Sequence, residues 1–347
     1  MPHADPHRPF LAAFLGLVLA WAGGFNALSA YVEPVSGDLA RVGGWAERDF
    51  GGRGPAAPMA IRANGGPGAP PPAVLVLGDS HSHPNVWQTV LAEATGLEPL
   101  TCSYWTAGSL ARWTRWAARQ PARTWVLQVA ERHVVADWGT LGPGAGPDPS
   151  PLPVAAGQTA GRRPRVAWNP DYAYVARASW NHVRLARQPG LLESGETVVA
   201  PLTRGDLFTC RRADRLLYFR HDATKDAWRE ADLAAATHTL VAVDAAARAA
   251  GARLLLAVVP DKSTTYAPWL LAPAARPRYE ALQRRWAAAG LAPVDVLTGF
   301  RRALPATRDL YGPDDSHLGP VGHQLLAAAV ARAMVSSGLA PTHSTPR

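Results

Sequence analysis

Gly78-Asp79-Ser80 follows four apolar residues, Val74, Leu75, Val76 and Leu77. The pattern predicts a buried strand that stops abruptly and presents a serine at its carboxyl end, where open α/β sheets bind their ligands. Glycine at 78 lets the backbone turn sharply. Residues 85–94 then carry Val86, Trp87, Val90 and Leu91 at helical spacing. A strand, a tight turn with a serine and a helix together make the setting of a nucleophile, and a serine nucleophile needs a base. The other chemical stretch, Asp314-Asp315-Ser316-His317, places carboxylates and an imidazole in one loop just before Pro320. Proline suits a first helical turn, and Val321, Leu325, Leu326, Val330 and Met334 continue at helical spacing. Ser80, His317 and either Asp314 or Asp315 can therefore form a relay of nucleophile, base and orienting acid. Each stretch alone also reads as turn and cap chemistry. Their occurrence at opposite ends of one α/β pattern points to catalysis.

The elements that must position these residues follow from periodicity. Residues 97–102, 125–129, 253–259 and 293–297 read as short apolar strands, and residues 110–119, 231–250 and 278–288 as helices. The alternation predicts a three-layer α/β/α domain over residues 73–337, with a mostly parallel sheet and helices on both faces. Residues 139–230 form an insertion: a Pro/Gly-rich stretch, a helix over 172–186 and a hairpin within 198–219. Insertions often shape substrate sites. Trp180, Tyr218, Phe219 and Trp228 could stack on sugar rings there, although such aromatics are more commonly core. Lys262 and Tyr266 follow a strand's carboxyl end, with a surface role as the default reading.

Residues 10–32 carry no charged side chain, and about 20 apolar residues cross a bilayer. Arg8 precedes them, and Glu33 and Asp38 follow. That asymmetry leaves the amino terminus in the cytoplasm and the rest outside. Residues 1–35 are expected to be a retained membrane anchor. Ala27-Leu28-Ser29-Ala30 offers a cleavage region, so an exported soluble protein is the alternative. Residues 36–72 end in a Gly/Pro/Ala-rich run and read as a spacer, with residues 44–50 as a piece that could pack on the domain.

With 347 residues the chain can bury one substantial core. Its net charge of +8 is spread over scattered arginines rather than basic runs interleaved with aromatics, which argues against nucleic acid. A basic surface suits an anionic polysaccharide or a membrane face. Cys102 and Cys210 could pair in an oxidising compartment and fit no zinc motif. A rival chemistry would gather His81, His83, His317 and His323 with Asp79, Asp314 and Asp315 around a metal. The serine setting needs no metal or cofactor, and none is expected.

Taken together, Gly78-Asp79-Ser80 and Asp314 or Asp315 with His317 resemble the SGNH (GDSL-type) hydrolase superfamily. Asp315-Ser316-His317-Leu318-Gly319-Pro320-Val321-Gly322 is similar to the Asp-x-His-Trp-x-Pro-x-Gly signature of the SGNH-like alginate O-acetyltransferase group. Residues 125–132, 216–222 and 259–266 resemble other stretches of that group, and the likeness runs from about 74 to 334. Leu318 stands where the signature has tryptophan. Ser80 precedes the Asp–His pair, as in SGNH esterases and peptidoglycan O-acetyltransferases, whereas the alginate enzymes run the other way.

The resemblance implies a periplasmic domain, on an inner-membrane single-pass anchor, that moves acetyl groups onto an exported polysaccharide through an acetyl-serine. It implies a multi-pass membrane O-acyltransferase as the partner delivering acetyl. Ser80 would be the nucleophile and His317 the base. The acid would be Asp315 by the acetyltransferase signature, or Asp314 by the ordinary SGNH Asp-x-x-His spacing. The N–H groups of Ser80 and Gly108 would hold the oxyanion. Arg132 lies near where SGNH esterases place an asparagine donor and could replace it. The alternatives are an esterase releasing acetyl to water and a non-catalytic polysaccharide-binding subunit.

Overall fold

The computed structural model describes residues 7–32, 37–53, 59–65, 68–154, 159–160, 171–272 and 278–339. The strands are β1 (Met59–Ala60), β2 (Val74–Gly78), β3 (Pro99–Ser103), β4 (Thr124–Ala130), β5 (Thr159–Ala160), β6 (Leu192–Ser194), β7 (Thr197–Pro201), β8 (Arg215–Phe219) and β9 (Arg253–Val259). The helices are α1 (His7–Val32), α2 (Asp38–Gly43), α3 (Glu47–Phe50), α4 (Val86–Thr95), α5 (Tyr104–Ala107), α6 (Leu110–Ala117), α7 (Val134–Trp138), α8 (Tyr172–Arg187), α9 (Glu230–Ala249), α10 (Lys262–Thr265), α11 (Tyr279–Ala288), α12 (Leu297–Ala303) and α13 (Pro320–Ser336).

The central sheet has the order β3–β2–β4–β9, and every pair is parallel. Register places Gly78 opposite Ser103 and Ala130 opposite Val259. All four strands therefore end along one edge, and the loops that follow them share that edge. Every residue of β2 is buried, as expected of a strand covered on both faces. Its side chains alternate between two cores. Val74 and Val76 pack with Trp87 and Leu91 of α4 and with Leu326, Val330 and Met334 of α13. Leu75 and Leu77 pack with Trp113 of α6, Leu240 and Val243 of α9, and Trp286 of α11. This is the three-layer arrangement that the sequence pattern predicts.

The expected fifth strand over 293–297 is reduced to one parallel bridge, Leu256 to Pro293. Proline has no N–H to extend a ladder. Asp295 accepts from the Thr298 N–H, and Leu297 already opens α12. The insertion holds α8 and a three-stranded antiparallel sheet, β6–β7–β8, so the hairpin within 198–219 has one strand more. Much of the Pro/Gly-rich part of the insertion, residues 155–158 and 161–170, lies outside the described residues.

Residues 38–50 depart from the spacer reading. Leu39, Ala40, Trp45 and Phe50 are buried in the same core as Val199 and Leu216. Trp45 Nε1 donates to Thr197 Oγ1 of β7 at 2.7 Å. Four apolar residues at this spacing build a core contribution of about 1.5–3 kcal/mol per large side chain, so composition further along, in residues 64–72, gave the segment a looser appearance than it has. Within α1, the span Pro9–Val32 has a mean hydropathy of 1.8, and its most apolar stretch is unburied. Its carboxyl-terminal end nevertheless rests on α8. Trp21 stacks on Tyr172 at 5.3 Å between ring centroids and Phe25 meets it tilted at 4.1 Å, and Val32 packs with Tyr174, Val175 and Ala178. Cys102 and Cys210 are both free and buried, in cores on opposite faces of the sheet.

Candidate active site

The serine turn is held from beneath. Asp79 Oδ1 accepts from the His81 N–H and from Gln128 Nε2, both at 2.9 Å, and Oδ2 accepts from the Ala130 N–H at 2.6 Å. Burial opposes ionisation of Asp79, yet His81 and these donors outweigh it, and its pKa falls below the usual value. Ser82 donates to Gln128 Oε1 at 2.5 Å and accepts from Trp87 Nε1 at 3.1 Å. A Cβ on Gly78 would lie 2.2 Å from Ser82 Oγ, so the turn closes only over glycine. Asp79, Ser82 and Gln128 are thus fixed, and Ser80 is left half-buried at the apex.

The imidazole of His317 arrives on the loop between the bridge partners Tyr311 and Leu318. Asp315 Oδ1 accepts from the His317 N–H at 2.9 Å and lies 2.6 Å from His317 Nδ1. With Nδ1 donating there, Nε2 is the nitrogen free to accept a proton. Burial disfavours imidazolium, but the Asp315 hydrogen bond and charge, helped by Asp38 and Asp79, raise the His317 pKa. Burial works against Asp315 too, and His317 still pulls it well below the carboxylate range. Of the two candidate acids, Asp315 is the one in contact with the His317 ring. Asp314 is buried, faces Glu47, and is pushed up to about 7 by burial and that neighbouring carboxylate.

Two further side chains, Lys262 and Asp38, fix this loop. Lys262 Nζ donates to the carbonyls of Gly312 at 2.6 Å, Pro313 at 3.0 Å and Asp315 at 3.1 Å. Lys262 is buried rather than a surface residue. Asp38 Oδ1 accepts from the Ser316 N–H at 2.7 Å, and Oδ2 from Ser316 Oγ at 2.5 Å. The same Oδ2 lies 3.7 Å from His317 Nδ1.

The two loops meet across the sheet edge. The rings of His81 and His317 are 5.3 Å apart between centroids, and Ser80 immediately precedes His81. Among the described residues no hydrogen bond joins Ser80 to His317; such bonds often tighten only with substrate bound. Burial lowers the His81 pKa to about 4, with His317 and Arg132 adding to the effect and Asp79 opposing it. It therefore sits neutral beside the base.

The expected oxyanion donors fare differently. The Gly108 N–H donates to the Tyr104 carbonyl at 3.0 Å, because Gly108 closes α5 in a left-handed conformation with φ 72°. That N–H is committed to the helix end. Arg132 Nη1 donates to Asp261 at 3.0 Å and lies 3.9 Å from Asp222. Beneath it, Lys225, wholly buried, bridges Glu131 at 3.2 Å and Asp261 at 2.8 Å. Arg132 thus sits at the rim of a buried ionic network, and its side chain is 12% exposed.

The rival metal set is not gathered: Asp79 is consumed in its turn, and His83 contacts Ser103 Oγ at 3.0 Å. Among the described residues the group with metal-like spacing is Asp38, Asp315 and His317. Of the proposed sugar-stacking aromatics, Tyr218 is buried core and Phe219 lies under Arg132, while Trp180 is 63% exposed. Asp38, Gln128 and Lys225 escaped sequence reasoning. For Lys225 and its partners a signal existed in residues 216–222 and 259–266, which hold Asp222 and Asp261.

Residues 213–345 match the family described as SGNH hydrolase-like domain, acetyltransferase AlgX. That segment contains Lys225, Asp261, Lys262, Asp315 and His317 and begins well after Ser80. No curated protein matches the chain. Among solved structures, a salicylyl-acyltransferase, SsfX3, from a tetracycline biosynthetic pathway is similar at 13% identity and a TM-score of 0.29. The alignment spans 78% of this chain and 56% of that one.

Proposed function

We propose, from the match of residues 213–345 to the SGNH hydrolase-like, acetyltransferase AlgX family, that this chain is an O-acetyltransferase acting through an acetyl-serine. Ser80 Oγ attacks the carbonyl carbon of an acetyl donor as its proton passes to His317 Nε2. The carbonyl oxygen gains the negative charge and is met by the Ser80 N–H. When the carbonyl re-forms, the bond to the donor's leaving group breaks, and His317 returns its proton to that group. An acceptor hydroxyl then gives its proton to His317 and attacks the acetyl-serine; as the carbonyl re-forms, the bond to Ser80 Oγ breaks and His317 returns the proton to that oxygen. Asp315 holds the imidazole in the required tautomer throughout. No step calls for a cofactor.

The observation carrying this reading is the Asp315–His317 pair at 2.6 Å, set beside a turn that leaves Ser80 at its apex. The acceptor we infer is a hydroxyl of an exported polysaccharide, and the donor route a multi-pass membrane acyltransferase. The membrane part of this reading is supported by the apolar α1, whose end is packed on α8 as a retained helix would be. The domain would then face the periplasm from the inner membrane. An esterase is the second reading, favoured by the 31% exposure of the His317 side chain, which leaves room for water. The test uses full-length protein, a chromogenic acetyl ester and candidate glycans. Acetyl appearing on a glycan and lost in Ser80→Ala supports transfer. Release to water indifferent to every glycan makes the protein an esterase, and no Ser80-dependent release overturns both.

A further inference from the structure

Asp38 reaches the catalytic loop from the far end of the chain, a few residues beyond α1. Its two oxygens accept from the N–H and hydroxyl of Ser316 at 2.7 and 2.5 Å, and one of them lies 3.7 Å from His317 Nδ1. The clasp is wider than one side chain. The Ala40 N–H donates to the Asp314 carbonyl at 3.1 Å. A Cβ on Gly37 would stand 2.1 Å from the Asp314 carbonyl oxygen, so backbone meets backbone there. Glu47 of α3 bears on Asp314 from the other side. Residues 37–47 thus hold Asp314 and Ser316, the flanks of Asp315 and His317.

We propose that Asp38 is a positioning residue for His317, a second carboxylate supplied by the segment that follows α1, so that the base is set only when this segment is seated on its loop. The role rests on the acyl-transfer reading for its chemistry but not for its test. Asp315 alone fixes the Nδ1 proton. Asp38 holds Ser316 and sets the loop's pitch, and its charge adds to that of Asp315 in favouring imidazolium. The other titratable groups facing the ring are Asp79, His81, His83 and His323. Each lies on β2's turn or α13, and none would change in an Asp38 variant.

The experiment follows the His317 ring signal by NMR in full-length protein labelled at histidine, assigned with His317→Gln, alongside the pH dependence of acetyl release. In Asp38→Asn the His317 midpoint should fall by about one pH unit. The acidic limb of kcat should move the same way, and kcat should drop on the order of tenfold with KM unchanged. Asp38→Glu should recover part of each, with thermal midpoints alike in all three proteins. A His317 midpoint unmoved by Asp38→Asn overturns the proposal, as does a midpoint in the unaltered protein that moves on adding chelator, which would make the cluster a cation site. If release proves independent of Ser80, the catalytic reading fails while the NMR titration still decides the role of Asp38.

Discussion

Replacing Lys262 with methionine tests how the loop bearing His317 is held. The ammonium is buried and donates to the carbonyls of Gly312, Pro313 and Asp315. Methionine keeps much of the stem but offers none of these bonds, and an orphaned buried acceptor costs about 1–3 kcal/mol. Removing the buried charge returns part of that, because an ammonium is itself costly to desolvate. A net loss of about 3 kcal/mol at pH 7 is expected, which in a chain of this size lowers Tm by roughly 6–12 °C.

The pH dependence carries the sharper test. Burial brings the Lys262 pKa down from 10.5 to about 8, against the opposing charges of Asp314, Asp315 and Asp38. Between those two values the unfolded chain holds a proton that the folded protein has released, so folded stability rises with pH there. The gain amounts to about 3 kcal/mol across the window. Lys262→Met has no such proton, so the Tm gap between the two proteins should widen from pH 8 to pH 10. Other groups titrating in that range cancel in the difference. Paired thermal melts at pH 7, 8, 9 and 10 provide the assay. A constant gap, or a methionine variant more stable at every pH, would refute the assignment of Lys262 as a buried, depressed amine crowned by carbonyls.

Ser80→Ala should remove acetyl release by a factor of about 10³ or more while leaving Tm within about 2 °C, because its hydroxyl has no partner among the described residues; paired rate and melting measurements check this. Asp315→Asn should cut kcat by about 10³ and move the acidic limb to lower pH, since the partner that raises the His317 pKa is gone. Asp314→Asn should cost less than about tenfold, and equal losses in the two variants would contradict the choice of acid. Gln128→Leu leaves Asp79 and Ser82 each short of a bond; chemical denaturation should report a loss of about 3 kcal/mol.

The parallel core was legible because β2, β4 and β9 are mostly apolar runs ending in polar turns, a pattern that local sequence states fully. The Asp–His loop was legible for a similar reason: acid and base lie two residues apart, and their hydrogen bond is local. What the sequence concealed depends on long-range closure. Gln128 reads as one polar residue inside a strand, and its role exists only because β4 lies beside β2. Gly108 stands in a suitable place, but its N–H is consumed by the short α5, whose ending no pattern announced. Asp38 looks like one of two acids, with Glu33, just past an apolar segment, and its partner Ser316 is nearly the whole chain away.

The clasp between Asp38 and Ser316 also sets a length. Six residue steps separate Val32, the last residue of α1, from Asp38, and a fully extended chain covers at most about 3.6 Å per step. His317 is consequently leashed within roughly 20–25 Å of the end of α1. For a protein whose α1 crosses a bilayer, that leash keeps the reacting carbonyl within one protein diameter of the lipid surface. Under the transfer reading proposed above, an acetyl group handed over at that surface would have a short distance to travel, and a long acceptor chain would have to come down to the membrane to meet it.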